Sequence, residues 1–218
     1  MLVSVGAYML GVWLKKKTGW AILNPLLVAI IVVIAFLSVF HIEYKEYNRG
    51  AVYLGYFLTP ATVCLAIPLY KQLELLRQHL IAVASAIVAG VAGSVGSIYV
   101  MCRFFQLEHT HYVTLLPKSI TTAIGMGVSE EAGGIVTLTV ISIIITGILG
   151  NIIADWLFQI FKIEEPSAKG LALGTAAHAI GTAKALELGE IEGAMSSLSI
   201  AVAGLLTVVV VPLMSGLI

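Results

Sequence analysis

"TVCLAIPLYKQLEL" spans Thr62–Leu75, and "TAAHAIGTAKALEL" spans Thr175–Leu188. Laid together they agree at seven of fourteen positions, and the two copies lie 113 residues apart. A helix breaker stands at the same place in each, Pro68 in the first and Gly181 in the second. Proline removes a backbone donor and crowds the preceding turn, and glycine frees the backbone. Two related, interrupted apolar segments in one chain point to an internal repeat.

The surroundings of both copies are apolar. Of 218 residues, 59% are hydrophobic and 11% charged, against about 25% charged in a soluble domain. Trp20–Phe40, Leu80–Cys102, Gly133–Ala154 and Ala194–Ile218 are nearly uncharged. Each is about 20 residues or more, enough to cross a hydrocarbon core of roughly 30 Å. The runs are continuous, so they read as helices and not as the alternating strands of a membrane β-barrel. Met1–Leu14 is shorter, and Lys15–Lys17 follow it. That order suits an anchor better than a cleaved signal. A net charge of zero implies no nucleic-acid partner.

The offset of 113 organises the whole chain. Met1–Leu14, Trp20–Phe40, Ala51–Arg77 and Leu80–Cys102 land on Thr114–Gly127, Gly133–Phe158, Lys169–Leu188 and Gly193–Ile218. Repeat one is expected over residues 1–103 and repeat two over 113–218, joined by 104–112. Basic residues near short loops mark the cytoplasmic side. Lys15–Lys17 follow the first segment, whereas its counterpart is followed by Glu130 and Glu131. Lys71 and Arg77 end the third segment, whereas its counterpart sets Lys184 against Glu187, Glu190 and Glu192. The basic bias vanishes in both homologous loops, as in repeats of opposite orientation. The expected fold is an all-α polytopic membrane protein of two inverted repeats, with discontinuous helices crossing near the membrane midplane. An inverted repeat needs an odd number of crossings per half, so one segment in each is re-entrant or split.

The polar residues inside the apolar segments are the site candidates. Pro60 and Pro68 break the first copy, beside Thr62. A simple proline kink is the alternative for either segment taken alone. Gly174 and Gly181 loosen the second copy, around Thr175, His178 and Thr182. A lone histidine is usually a satisfied interior group, but one at membrane depth is a functional candidate. In "LLPKSITTAIGM", Pro117 suits the first position of a helix, followed by Lys118, Ser119, Thr121 and Thr122. Free amides at a helix start, a lysine and three hydroxyls would cradle an anion. The alternative for Lys118 is snorkelling to lipid headgroups.

Other features carry less. Ala89, Gly93 and Ser97 recur every four residues, a small-residue face for helix packing within or between protomers; a homo-oligomer is expected. Cys64 and Cys102 lack metal-ligand spacing, and no metal or cofactor is implied beyond a coupled proton or sodium ion. No nucleophile–base motif is present, so the chain does not read as an enzyme.

"LNPLLVAI" (23–30), "TPATVCLAIPLYKQ" (59–72), "LLPKSITTAIGM" (115–126), "ITGILGNII" (145–153) and "AKGLALGTAAHAIGTAKALELGEIEGAMSSL" (168–198) resemble the LrgB/CidB family of bacterial membrane proteins. The last motif is highly specific. The family's pattern has Pro at position 123 and Ser at 177, where this chain has Ala123 and Ala177. The family is also similar to the carboxy-terminal half of the plastid glycolate/glycerate transporter. The resemblance implies a multi-pass protein of the bacterial cell membrane, in the lipid bilayer, with an LrgA/CidA-type membrane partner. It implies transport of small monocarboxylates such as pyruvate, glycolate or glycerate. The alternative is a holin/antiholin-like role in murein-hydrolase export and lysis. The substrate would meet Lys118, Ser119, Thr121 and Thr122 from one side, and Thr175, His178 and Thr182 from the other, with Thr62 beside them.

Overall fold

The computed structural model describes residues 1–20, 23–57, 60, 63, 64 and 66–218. Thr62 lies outside them, and Pro60 stands among residues that do. By packing, the chain divides into two compact units, Met1–Leu65 and Ala66–Ile218. The connection expected at 104–112 lies inside the second unit.

The first unit holds α1 (Leu2–Thr18), α2 (Pro25–Val39) and α3 (Tyr44–Gly55). Asn24 starts α2: its Oδ1 accepts from the amides of Leu26 and Leu27 at 2.9 and 3.3 Å, with Pro25 at the first turn. Both devices are favoured where helix amides lack partners. α1 packs on α2, and Ser4 hydrogen-bonds Tyr47 of α3 at 2.9 Å.

The second unit holds α4 (Ala66–Lys71), α5 (Leu73–Gln78), α6 (Leu80–Phe104), α7 (His109–Leu115), α8 (Thr122–Glu131), α9 (Val136–Ile160), α10 (Pro166–Leu188) and α11 (Glu190–Ser215). Three of these, α6, α9 and α11, are 25, 25 and 26 residues long with mean hydropathies of 2.0, 2.2 and 2.3. They are long and apolar enough to cross a membrane. Large apolar side chains recur on their outer faces, Ile141, Ile145 and Leu149 on α9 and Leu205, Val209 and Leu213 on α11. That four-residue spacing is one helix face, and it suits lipid. Among the described residues there is no strand, so the all-helical expectation holds.

Two expected segments are divided. Ala51–Arg77 contains the end of α3 and then the short α4 and α5, with Pro68 inside α4. Thr114–Gly127 is split between α7 and α8. Pro117 has no amide to continue α7, so the chain turns through 116–121 and helix resumes at Thr122, five residues later than Pro117 suggested.

Helix α10 carries an interruption of its own. His178 has φ 42° and ψ −134°, a conformation that costs a non-glycine residue on the order of 1–3 kcal/mol. The break turns the chain so that a Cβ on Gly181 would collide with the backbone carbonyl of Leu173. Sequence marks Gly181 as the breaker, but the non-helical residue lies three positions earlier. In lipid, freed carbonyls need protein partners. Thr182 Oγ1 donates to the His178 carbonyl at 3.1 Å, and Asn151 Nδ2 donates to that of Ile180 at 3.2 Å.

Gly181→Ala is expected to lower the melting temperature in detergent by several degrees, since forced overpacking costs about 1–3 kcal/mol. Gly93→Ala, at an exposed site with open space for a Cβ, leaves it within a degree or so.

Candidate functional site

The site is built on the turn between α7 and α8. Tyr112, Val113, Leu116 and Ile120 are buried around it, and the turn closes on itself through Lys118 N to Leu115 O at 3.1 Å. A buried hydroxyl network holds its flanks. Thr139 Oγ1 of α9 lies 2.9 Å from the Thr114 carbonyl and 2.7 Å from Ser129 Oγ, while Thr114 Oγ1 accepts from the amide of Ile135 at 2.8 Å. Three short pieces, α7, α8 and the start of α9, are thereby fastened together. The turn is a fixed platform, although it is not helical.

Lys118 and Ser119 project from that platform toward α6. Lys118 Nζ donates to Ser119 Oγ at 2.9 Å and to Ser94 Oγ at 3.3 Å. Ser94 Oγ in turn donates to Ser119 Oγ at 2.9 Å. Ser119 is only 6% exposed. A lone ammonium taken this far from water is costly, and the two hydroxyls replace part of its hydration.

The cluster sits at the inner end of a cleft of about 780 Å³ between α6 and α10. His79, Glu165 and Ser167 line the outer end, where both helices begin; Ser94, Lys118, Ser119 and Thr175 line the inner end. His79 to Ser94 is fifteen residues of helix, about 22 Å at 1.5 Å per residue. The cleft therefore reaches deep into the length of α6. Behind Ser94, Ser119 and Thr175, toward Thr207 of α11, only about 10 Å³ remains, roughly the limit for a single water.

The sequence candidates separate into two groups. Lys118, Ser119 and Thr175 meet in the cleft. Thr175 Oγ1 donates to the Leu171 carbonyl at 2.8 Å. Thr121 and Thr122 are half-buried at the start of α8 and do not line the cleft. His178 and Thr182 are buried on another side of α10. His178 Nε2 donates to the Ile143 carbonyl of α9 at 2.9 Å, and Thr182 Oγ1 lies 2.7 Å from Ser196 Oγ of α11. Gly147 leaves room for the imidazole, because a Cβ there would stand 2.9 Å from the ring. Gly174 serves α10–α11 packing against Ser196 and Ser199. The residue that sequence reasoning passed over is Ser94, one turn beyond Gly90 among alanines and glycines. Its signal was a hydroxyl inside an apolar span. Among the described residues, no His, Cys, Asp or Glu cluster of metal-binding size is present.

Comparison with known proteins agrees with the resemblance over nearly the whole chain. The LrgB-like family model matches residues 4–217. The chain is 39% identical over 214 residues to the antiholin-like protein LrgB of Bacillus mycoides, covering 98% of this chain and 93% of that protein. It is 38% identical over 213 residues to the antiholin-like protein LrgB of Bacillus subtilis, covering 97% and 92%. No solved structure matches. Neither the family description nor the relatives' names carries an enzymatic activity. With three helices of spanning character and bacterial relatives of this kind, the protein is a bacterial membrane protein. The relatives' names favour the holin/antiholin reading over the carrier reading.

In a Cys64→Ser, Cys102→Ser background, a cysteine at Ala172 is expected to react with a membrane-impermeant thiol reagent in nanodiscs, and one at Thr182 to stay unmodified. Equal labelling of the two would place the water-accessible surface elsewhere on α10.

Proposed function

The chain belongs to the LrgB-like family, and from that premise we propose that it is an antiholin-like protein of the bacterial membrane. The observation that carries the reading is the length of the match: relatives named antiholin-like align with 97–98% of this chain. An antiholin opposes the membrane lesion that a holin makes. Here the opposing surface would be the apolar outer faces of the spans, pairing with an LrgA/CidA-type membrane partner and withholding it from self-assembly. Small residues such as Ala89, Gly93 and Ser97 on α6 let a second helix approach closely; a homo-oligomer would use the same kind of contact.

The Lys118 cluster favours a second reading, a carrier of small monocarboxylates of the pyruvate, glycolate or glycerate class. A cation with two hydroxyls at the inner end of a deep, one-sided cleft is what a substrate carboxylate needs. In this reading Lys118, Ser94, Ser119 and Thr175 bind the substrate, and the break at His178 lets α10 move during alternating access of two inverted repeats, coupled to a proton or sodium ion. His178 and Thr182 then serve the hinge and not the ligand.

Two measurements separate the readings. Raising expression beside a holin-like partner is expected to cut entry of a membrane-impermeant dye severalfold; dye entry that ignores expression level removes the antiholin reading. In liposomes, a carrier gives saturable uptake of labelled monocarboxylate with counterflow, and Lys118→Ala abolishes it. Linear uptake that also admits unrelated solutes removes the carrier reading.

A further inference from the structure

We propose that the cleft takes a short-chain alkyl monocarboxylate, head first onto Lys118, in preference to hydroxylated acids and dicarboxylates; this rests on the carboxylate reading of the same site. The inner end has a surplus of donors. An ammonium has three N–H groups, and Lys118 places two of them, on Ser119 and Ser94. Ser119 Oγ accepts from both Lys118 and Ser94, so its own hydrogen has no acceptor among the described residues. Two donors are left over on adjoining groups, one for each oxygen of a carboxylate. A cation or a donor-rich neutral ligand finds no match there.

The neck selects the rest of the ligand. Between its two ends the cleft is walled by Ala82, Ala86 and Gly90 on α6 and by Ala168 and Ala172 on α10. They recur every four residues, on one face of each helix. Their side chains offer no hydrogen bond, and their backbone groups lie within helices. A hydroxyl held against this wall finds no side-chain partner in it. A methylene loses nothing and gains apolar contact. The small residues also make the space: a Cβ on Gly90 would stand 2.8 Å from Thr175 Oγ1, closing the neck just above the head site.

Charge sets the ligand's valence. Among the described residues that line the cleft, Lys118 is the one lysine or arginine, and Glu165 stands at the mouth. A second carboxylate on the ligand would lie against the alanine walls or face Glu165. Both positions are unfavourable for a dianion. With about 10 Å³ behind the head site, the tail points outward along the neck.

The test is saturation-transfer NMR on the full chain in nanodiscs, with butyrate as the probe and glycerate, succinate and chloride as competitors. Butyrate is expected to bind, with its terminal methyl among the strongly saturated protons. Glycerate should bind at least about tenfold more weakly, the equivalent of roughly one unmatched polar group, and succinate should fail to displace butyrate. Ala172→Leu, which adds bulk to the wall beside Thr175, is expected to weaken butyrate binding at least about tenfold at an unchanged melting temperature; Lys118→Met abolishes it at the head. Glycerate or succinate binding as tightly as butyrate overturns the alkyl preference while the carboxylate reading stands. Full butyrate binding in a folded Ala172→Leu protein overturns the location. Binding of no carboxylate at all removes the carboxylate reading together with this inference.

Discussion

An ammonium group held by two serine hydroxyls inside an apolar protein is the arrangement that organises the second unit. Lys118 reaches Ser119 and Ser94 at 2.9 and 3.3 Å, and isolating that charge from water would cost several kcal/mol. The local structure answers the cost in steps. Pro117 ends α7, so the lysine sits on a turn and not on a lipid-facing helix. The Thr114–Ser129–Thr139 hydroxyls hold the turn in place. Alanines and glycine on α6 and α10 leave a cleft along which water can reach the charge.

His178 shows the opposite solution for a polar group at membrane depth. It is 3% exposed, and its Nε2 donates to the Ile143 carbonyl. Its own carbonyl, freed by the kink, is met by Thr182. Here the ring N–H and the freed carbonyl are both met within the protein. Lys118 has donors to spare and an open path; His178 has neither. This contrast, more than the count of polar residues, makes the cleft the candidate site. It also gives α10 two roles: one face lines the cleft at Thr175, and the other anchors to α9 and α11 at the break.

How much of this was legible in the sequence follows from what each residue depends on. The spans α6, α9 and α11 were readable because apolar length alone decides them. Lys118, Ser119 and Thr175 were readable because polar residues in apolar runs are conspicuous. Ser94 was not, since a serine among glycines and alanines reads as helix packing until Lys118 arrives from 24 residues away. The partner of His178 was equally hidden, because Ile143 lies 35 residues earlier and meets it only through α9–α10 packing. The break was felt in the sequence at Gly181, but it falls at His178, where φ is positive. The glycine is what the break requires nearby, and the histidine is what bends. The functional readings divide in the same way. The antiholin-like reading comes from kinship along the whole chain, and the carboxylate reading comes from a few atoms at the end of one cleft.

The most direct test of the central claim is a solid-state NMR distance measurement in lipid bilayers. It uses protein labelled with nitrogen-15 at lysine side chains and butyrate labelled with carbon-13 at its carboxylate. The account predicts a dipolar coupling between the carboxylate carbon and one lysine Nζ, at hydrogen-bonding range, that disappears in Lys118→Met. Saturating butyrate with no such coupling, or a coupling that survives Lys118→Met, would contradict it.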